Sequence, residues 1–197
     1  MTDPEVDRRV GIDTDAALRL EGVRKTYRVG DDEVVALDRA DLTVGSDEIV
    51  ALVGPSGSGK TTLCSIAGGI LTPTEGAVVV GGQDISDYSS KQLTQFRRDA
   101  VGFVFQTVNL VPFLTARENL LVVDEIGPRT GRQARDRADQ LLEELNLTKR
   151  AGNLPGQLSG GEKQRVAIGR ALMNEPELVL ARSASRASVP RPGPSST

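Results

Sequence analysis

The 197-residue sequence has no histidine, no tryptophan and a single cysteine, Cys64. Without an imidazole there is no Ser-His-Asp triad, no His-ligated zinc and no histidine base. One cysteine excludes an internal disulfide and a Cys-cluster metal site, so nothing points to an oxidising compartment. No apolar run reaches the roughly 18 residues needed to cross a bilayer, and the acidic N-terminus lacks the apolar stretch of a signal peptide. The chain reads as soluble and cytosolic. An excess of positive charge is also missing: 24 Lys+Arg face 27 Asp+Glu, for a net charge of -3. Residues 181–197 carry three Arg and no acid, so the remainder is more acidic still. No nucleic-acid partner is expected, because displacing counterions needs a positive face. With four Phe and two Tyr, the core must be Val, Leu, Ile and Ala, and an aromatic in an exposed-looking segment stands out. Tyr27 is one.

The residues present suffice for one α/β domain, with or without an appendage. Residues 1–17 have the composition of a disordered lead-in, and residues 182–197, rich in Ser, Pro and Arg, that of a disordered tail. From Leu18 to Val44, short apolar stretches separated by Gly and Asp predict a small antiparallel sheet. The continuous apolar run Ile49 to Val53 predicts a buried parallel strand, feeding a Gly-rich loop and then a helix through Ala67. Three segments, Ser89 to Gln92, Thr115 to Glu118 and Ser159 to Glu162, carry the capping-box pattern that opens a helix. Ala134, Ala138, Leu141, Leu142 and Leu145 fall on one helical face, and residues 107–157 are expected to be mostly helical. Asn174-Glu175-Pro176 ends the last helix, and Leu178 to Ala181 predicts a second buried parallel strand. Cys64 and Met173 sit in apolar helical stretches and read as core packing.

Gly54-Pro55-Ser56-Gly57-Ser58-Gly59-Lys60-Thr61 matches Gly-x4-Gly-Lys-Ser/Thr, between an expected strand and an expected helix. Its glycines allow backbone N–H groups to close on phosphate oxygens beside a helix N-terminus. Lys60 supplies charge to the β- and γ-phosphates, Thr61 a hydroxyl for Mg²⁺, and Thr62 a further phosphate donor. A flexible Gly-Ser turn is the alternative. A phosphate loop alone does not distinguish kinases, GTPases and transport ATPases.

The second motif, Leu158-Ser159-Gly160-Gly161-Glu162-Lys163-Gln164-Arg165, would by itself fit any N-capped helix after a Gly pair. Together with the phosphate loop it resembles the signature of ABC transporter ATP-binding subunits, and the resemblance runs from about Leu18 to Ala181. It implies a P-loop NTPase fold of the ABC ATPase type, with an antiparallel β subdomain and a helical subdomain at about 107–157. It also implies ATP and Mg²⁺ as cofactors, Tyr27 as the adenine platform, and Gln106 as the glutamine that touches metal and attacking water and links to the membrane partner. A half-buried strand tyrosine and a solvated glutamine are the plainer alternatives. By the same resemblance, Ser159, Gly160, Gly161 and Glu162 act in trans on ATP held by a second subunit, in a homodimer or heterodimer. The partner in the membrane would be an integral permease, placing the chain at the inner face of the cell membrane. The stretches Thr26 to Gly30 and Asn109 to Asn119 look most like the lipoprotein-release and macrolide-export branch.

The chain departs from that pattern after Ala181, where the family has an Asp and a Glu that serve Mg²⁺ and the attacking water. Arg182 and Ser183 stand there. A guanidinium neither ligates Mg²⁺ nor accepts a proton, so impaired hydrolysis is expected, and the switch histidine and last core strands are expected to be missing. A shifted reading frame would produce such a change of composition; a natural short variant is the alternative. Two functions are compatible with these residues: an ATP-binding subunit powering export or lipoprotein release, or a non-hydrolysing module that pairs with an intact ATPase. A small-molecule kinase would leave the signature segment unexplained.

Overall fold

The antiparallel pairing forms as two 14-residue strands, β1 (Ala16–Val29) and β2 (Asp32–Gly45), in the computed structural model, which describes residues 16–123 and 131–181. Ala16 and Ala17 are buried in β1, so these two residues belong to the sheet and not to a disordered lead-in, because they cover the core at the sheet's end. The rest of the expected lead-in and the whole expected tail lie outside the described residues. β3 (Glu75–Val80) joins the other edge of β1 and β4 (Gln83–Asp84) comes next, giving the order β2-β1-β3-β4. Arg24 of β1 ties the three longer strands, lying 3.8 Å from Glu33, 3.4 Å from Asp38 and 3.3 Å from Glu75.

Among the described residues five α-helices accompany the strands: α1 (Lys60–Ala67), α2 (Ser90–Ala100), α3 (Ala116–Leu121), α4 (Arg132–Glu144) and α5 (Gly160–Leu172). All three expected capping boxes are present, at Ser89/Gln92, Thr115/Glu118 and Ser159/Glu162. A parallel pair, β5 (Val101–Val104) and β6 (Leu178–Ala181), runs from Val101 opposite Leu178 to Val104 opposite Ala181. One face of this pair meets the end of α1: a Cβ on Gly68 would lie 2.6 Å from Phe103 and 2.9 Å from Leu180. The neighbouring residue in β5, Gly102, faces the other way. A Cβ there would lie 2.5 Å from the Ala171 carbonyl of α5, so helices cover both faces, as in α/β proteins. Two cores result. Leu18, Leu20, Val23, Ile66, Val78, Val80 and Phe96 fill one, and Leu120, Ala138, Leu141, Leu142, Val166 and Met173 fill the other between α3, α4 and α5.

Three expectations are corrected. Ile49 to Val53 is not a buried strand: Ile49 is 99% and Val53 83% exposed, and no described strand runs beside them. An apolar run creates a demand for burial, but a strand exists only where a neighbour accepts its hydrogen bonds, and β6 pairs only with β5 among the described strands. For the same reason β6 is only half covered, with Leu178 buried and Val179 42% exposed. Nor are residues 107–157 mostly helical. Residues 107–115 form a loop, and besides α3 and α4 there are two short 3-10 turns, Thr148–Arg150 and Pro155–Gln157; residues 124–130 are outside the described set. Asn119, fully buried on α3, stabilises that loop instead. Its amide donates to the carbonyls of Val111, Leu114 and Thr115 at 3.1, 2.9 and 3.0 Å, and its oxygen accepts from the Val111 N–H at 2.8 Å.

Replacing Ile49 and Val53 together by Ser should leave the urea unfolding midpoint almost unchanged, within the ~0.5 kcal/mol per site typical of surface positions. It should also raise the concentration at which the chain precipitates. A loss near the ~1.5–3 kcal/mol of a buried aliphatic side chain would show instead that the segment is packed in solution.

Candidate nucleotide site

The Gly-rich loop is held from its downstream side. Gly57 and Gly59 have φ of 82° and 83°, a region open to glycine at little cost. A Cβ on Gly59 would lie 3.0 Å from both the Ala36 carbonyl and Leu37 Cδ1 of β2. The loop therefore rests its backbone directly on the antiparallel sheet. Gly59 caps α1, and no side chain bonds to the helix start. The first helical bond runs from Leu63 N–H to the Gly59 carbonyl at 2.8 Å, so the amides of Lys60, Thr61 and Thr62 precede it. Lys60 Nζ donates to the carbonyls of Gly54 and Pro55 at 2.8 and 2.6 Å and to Ser58 Oγ at 3.0 Å. Its ammonium is thus drawn across the loop. Uncapped amides, a helix dipole and a fixed cation at one point form an environment for a phosphate chain. Thr61 is exposed on the first turn and offers a hydroxyl oxygen of the kind Mg²⁺ accepts.

The sheet brings Tyr27 towards the same place. Lys25 is opposite Leu37, the residue against Gly59, and Tyr27 lies two residues further along β1, opposite Val34. That is about 7 Å of strand. Tyr27 is 41% exposed, which suits a stacking surface better than a core tyrosine. Gln106 lies two residues beyond β5 and is exposed. The carboxyl ends of β5 and β6 lie side by side, where open α/β sheets carry their ligands. Arg182 and Ser183 come after β6 but are outside the described residues.

The signature segment is built around Ser159. Its N–H donates to Glu162 Oε2 at 2.7 Å, its Oγ accepts from the Glu162 N–H at 3.3 Å, and its carbonyl accepts from Lys163 N–H at 2.9 Å. Arg150 Nε donates to Glu162 Oε1 at 2.9 Å. The Ser159 N–H, then its hydroxyl, then Arg150 hold the Glu162 carboxyl at about 2, below its ordinary 4.5. The box leaves the Gly160 and Gly161 amides without an intrahelical acceptor. Among the described residues, a Cβ on Gly160 would touch nothing, and one on Gly161 only Arg165 Nη1 at 3.8 Å. Glycine costs about 1 kcal/mol against alanine within a helix, and no contact among the described residues requires it at either position. The open face of this helix start is directed away from the chain's own core. The ends of α1 and α5 that follow Ala67 and include Ala171 pack on opposite faces of the β5–β6 pair.

The ABC transporter family model matches residues 37–182. The chain belongs to the ABC transporter family. It is 50% identical over 165 residues to the lipoprotein-releasing system ATP-binding protein LolD of Granulibacter bethesdensis, covering 84% of this chain and 72% of that protein. It is 44% identical to the macrolide export ATP-binding/permease protein MacB of Rhodopirellula baltica over 83% of this chain but 24% of that longer protein. Among solved structures, the ATP-binding cassette MJ0796 of Methanocaldococcus jannaschii, a dimer bound to ADP and Pi, superposes with a TM-score of 0.70 at 42% identity, over 83% of this chain and 72% of that one. The fold is that of an ABC ATPase, a family that binds ATP, and this member is an ATP-binding subunit of the lipoprotein-release and macrolide-export type.

Several residues around the site carry no signal in the sequence. Arg150 grips Glu162 across 12 positions with no motif linking them. Arg170 of α5 donates to the Asn109 carbonyl at 2.7 Å, joining the signature helix to the loop after Gln106. Burial pulls its guanidinium below the ordinary value.

Two outcomes are expected. Gly59→Ala should cost about 1–2 kcal/mol for the left-handed backbone, read by equilibrium unfolding, and should abolish nucleotide binding by lifting the loop from β2. For Glu162, an acid titration followed by carbon-13 NMR should give a midpoint near 2. Since its folded value lies below the ordinary 4.5, the stability from its charged form is complete above about pH 4.5 and fades as the pH falls through about 2. A midpoint near 4.5 would mean that the cap is open in solution.

Proposed function

We propose that this chain binds MgATP through Gly54 to Thr62 and Tyr27, and pairs head to tail with a second ATP-binding subunit. Its signature residues Ser159, Gly160, Gly161 and Glu162 then meet the γ-phosphate held by the partner's loop, and the pair serves an integral membrane permease in export or lipoprotein release. The observation that carries this reading is the pair of helix starts whose amides, at Lys60 to Thr62 and at Gly160 and Gly161, have no intrahelical acceptor. Each suits an anion, and neither is completed by the other within the same molecule. The dimer of the related cassette MJ0796, bound to ADP and Pi, supports the same arrangement. Among the described residues no helix is long and apolar enough to cross a membrane, so attachment to the membrane would run through the permease.

The chemistry assigns a role to each group. Lys60 and the amides of Lys60 to Thr62 would hold the β- and γ-phosphates, and Thr61 and Gln106 would offer oxygens to Mg²⁺. When bound, the metal offsets phosphate charge during transfer. Arg182 and Ser183 come after β6 in place of carboxylates, so this chain has no acid at that point to polarise an attacking water. That favours a role in which ATP joins subunits and is turned over slowly, including the variant in which an intact ATPase is the partner.

Titration with MgATP by calorimetry should show binding that Lys60→Ala weakens by tenfold or more, the cost of one charge-assisted contact of at least ~1.4 kcal/mol. Light scattering should show ATP-dependent dimers, and phosphate release should stay at background. Failure to bind MgATP would overturn the reading, and robust turnover would overturn the assignment of impaired hydrolysis.

A further inference from the structure

Tyr27 is not alone at the edge of the antiparallel sheet. Lys25 and Tyr27 are two residues apart on β1 and share a face of the strand. Lys25 Nζ stands 5.3 Å from the centre of the Tyr27 ring, within the ~6 Å over which a cation is attracted to an aromatic face. The ammonium is fixed there, because it also donates to the Thr72 carbonyl at 2.8 Å. The strand beneath is stitched to the same loop: Thr26 N–H donates to Thr74 Oγ1 at 3.1 Å, and Thr74 N–H donates to the Arg24 carbonyl at 2.8 Å. One face of the ring is therefore covered by a cation anchored from outside the strand. Tyr27 as a whole remains 41% exposed.

We propose that Lys25 is a positioning residue for the nucleotide base. It holds the Tyr27 ring against a fixed ammonium, so that a purine stacks on the single face left open and the ring is already oriented when nucleotide arrives. The inference rests on the reading of Tyr27 as the base platform. Two physical effects favour the stack. The ordering of the ring is completed before binding, which lowers the entropy lost on association. The ammonium also draws electron density towards its own face and leaves the opposite face a better partner for an electron-rich purine. Neither effect acts on the phosphates, which are held at the Gly-rich loop. A mere Coulomb attraction between Lys25 and the triphosphate would instead act on every ligand carrying that charge.

The experiment compares the affinities of the full chain, with Mg²⁺, for ATP and for inorganic triphosphate. Their ratio measures the contribution of the base. In the unsubstituted chain ATP should bind several-fold more tightly. Lys25→Met should lower that ratio about two- to fivefold, the scale of an exposed cation–π contact, and Lys25→Arg, which retains a cation and a donor, should restore most of it. Equal losses for ATP and triphosphate in Lys25→Met would overturn the proposal, since a general loosening of the sheet or a long-range charge effect would act on both. An unchanged ratio would also overturn it. A ratio near one in the unsubstituted chain would instead overturn the reading of Tyr27 itself, so the two failures are distinguishable.

Discussion

The contact of Gly59 with β2 is the constraint on which the site depends. The Gly-rich loop has no paired strand upstream, because Ile49 to Val53 is exposed, so the loop takes its position from α1 on its downstream side. Two close approaches provide that position. Gly59 lies against Ala36 and Leu37 at one end of α1, and Gly68 lies against Phe103 and Leu180 at the other. Between them α1 is fixed to both sheets, and the direction of its free amides is fixed with it. Each approach requires the absence of a side chain, so glycine stands at both ends of the helix. The result is a loop whose backbone is placed by packing, although the strand expected before it does not form.

Local charge is arranged around the same helix starts. At the start of α1 nothing caps the helix and Lys60 is folded across the loop, which leaves a positive end with its own amides unsatisfied. At the start of α5 the capping box uses the amides of Ser159 and Glu162 and holds a carboxylate against Ser159, while Arg150 balances that carboxylate from the 3-10 turn at Thr148–Arg150. Without Arg150 the negative charge of Glu162 would oppose an approaching phosphate. With it, the net field at the Gly160 and Gly161 amides is that of the helix end. The two sites are therefore complementary in construction: one brings its own cation, and the other neutralises its own anion.

How much of this was legible in the sequence depends on whether the cause is local. The capping boxes, the apolar face of α4 and the phosphate loop are set within a few residues, and each appears where the spacing places it. Leu178 to Ala181 is a strand beside β5, as its apolar run implies, but half-covered on account of its single neighbour. Ile49 to Val53 has an equally strong apolar pattern and fails, because a parallel strand is completed only by residues distant in sequence. The loop at 107–115 reads as helix by composition, yet one buried side chain, Asn119, satisfies its backbone by bonds that no periodicity encodes. Tyr27 was visible as an aromatic out of place in a chain poor in aromatics. The ammonium over its ring was not visible, since it depends on where Thr72 falls in space.

Nucleotide binding and nucleotide turnover draw on different parts of such a molecule. On the proposed reading, the groups that would fit the base and phosphates lie between Tyr27 and Thr62 and at Ser159 to Glu162, all among the described residues. On the family resemblance, acids that serve the attacking water would directly follow β6 in sequence. There the sequence has a guanidinium and a hydroxyl. A guanidinium is unable to take a proton, so on the proposed reading that residue would offer no route to hydrolysis. If ATP joins two such surfaces, the free energy of the joint is the binding energy of the nucleotide, and its lifetime is limited by dissociation and not by chemistry.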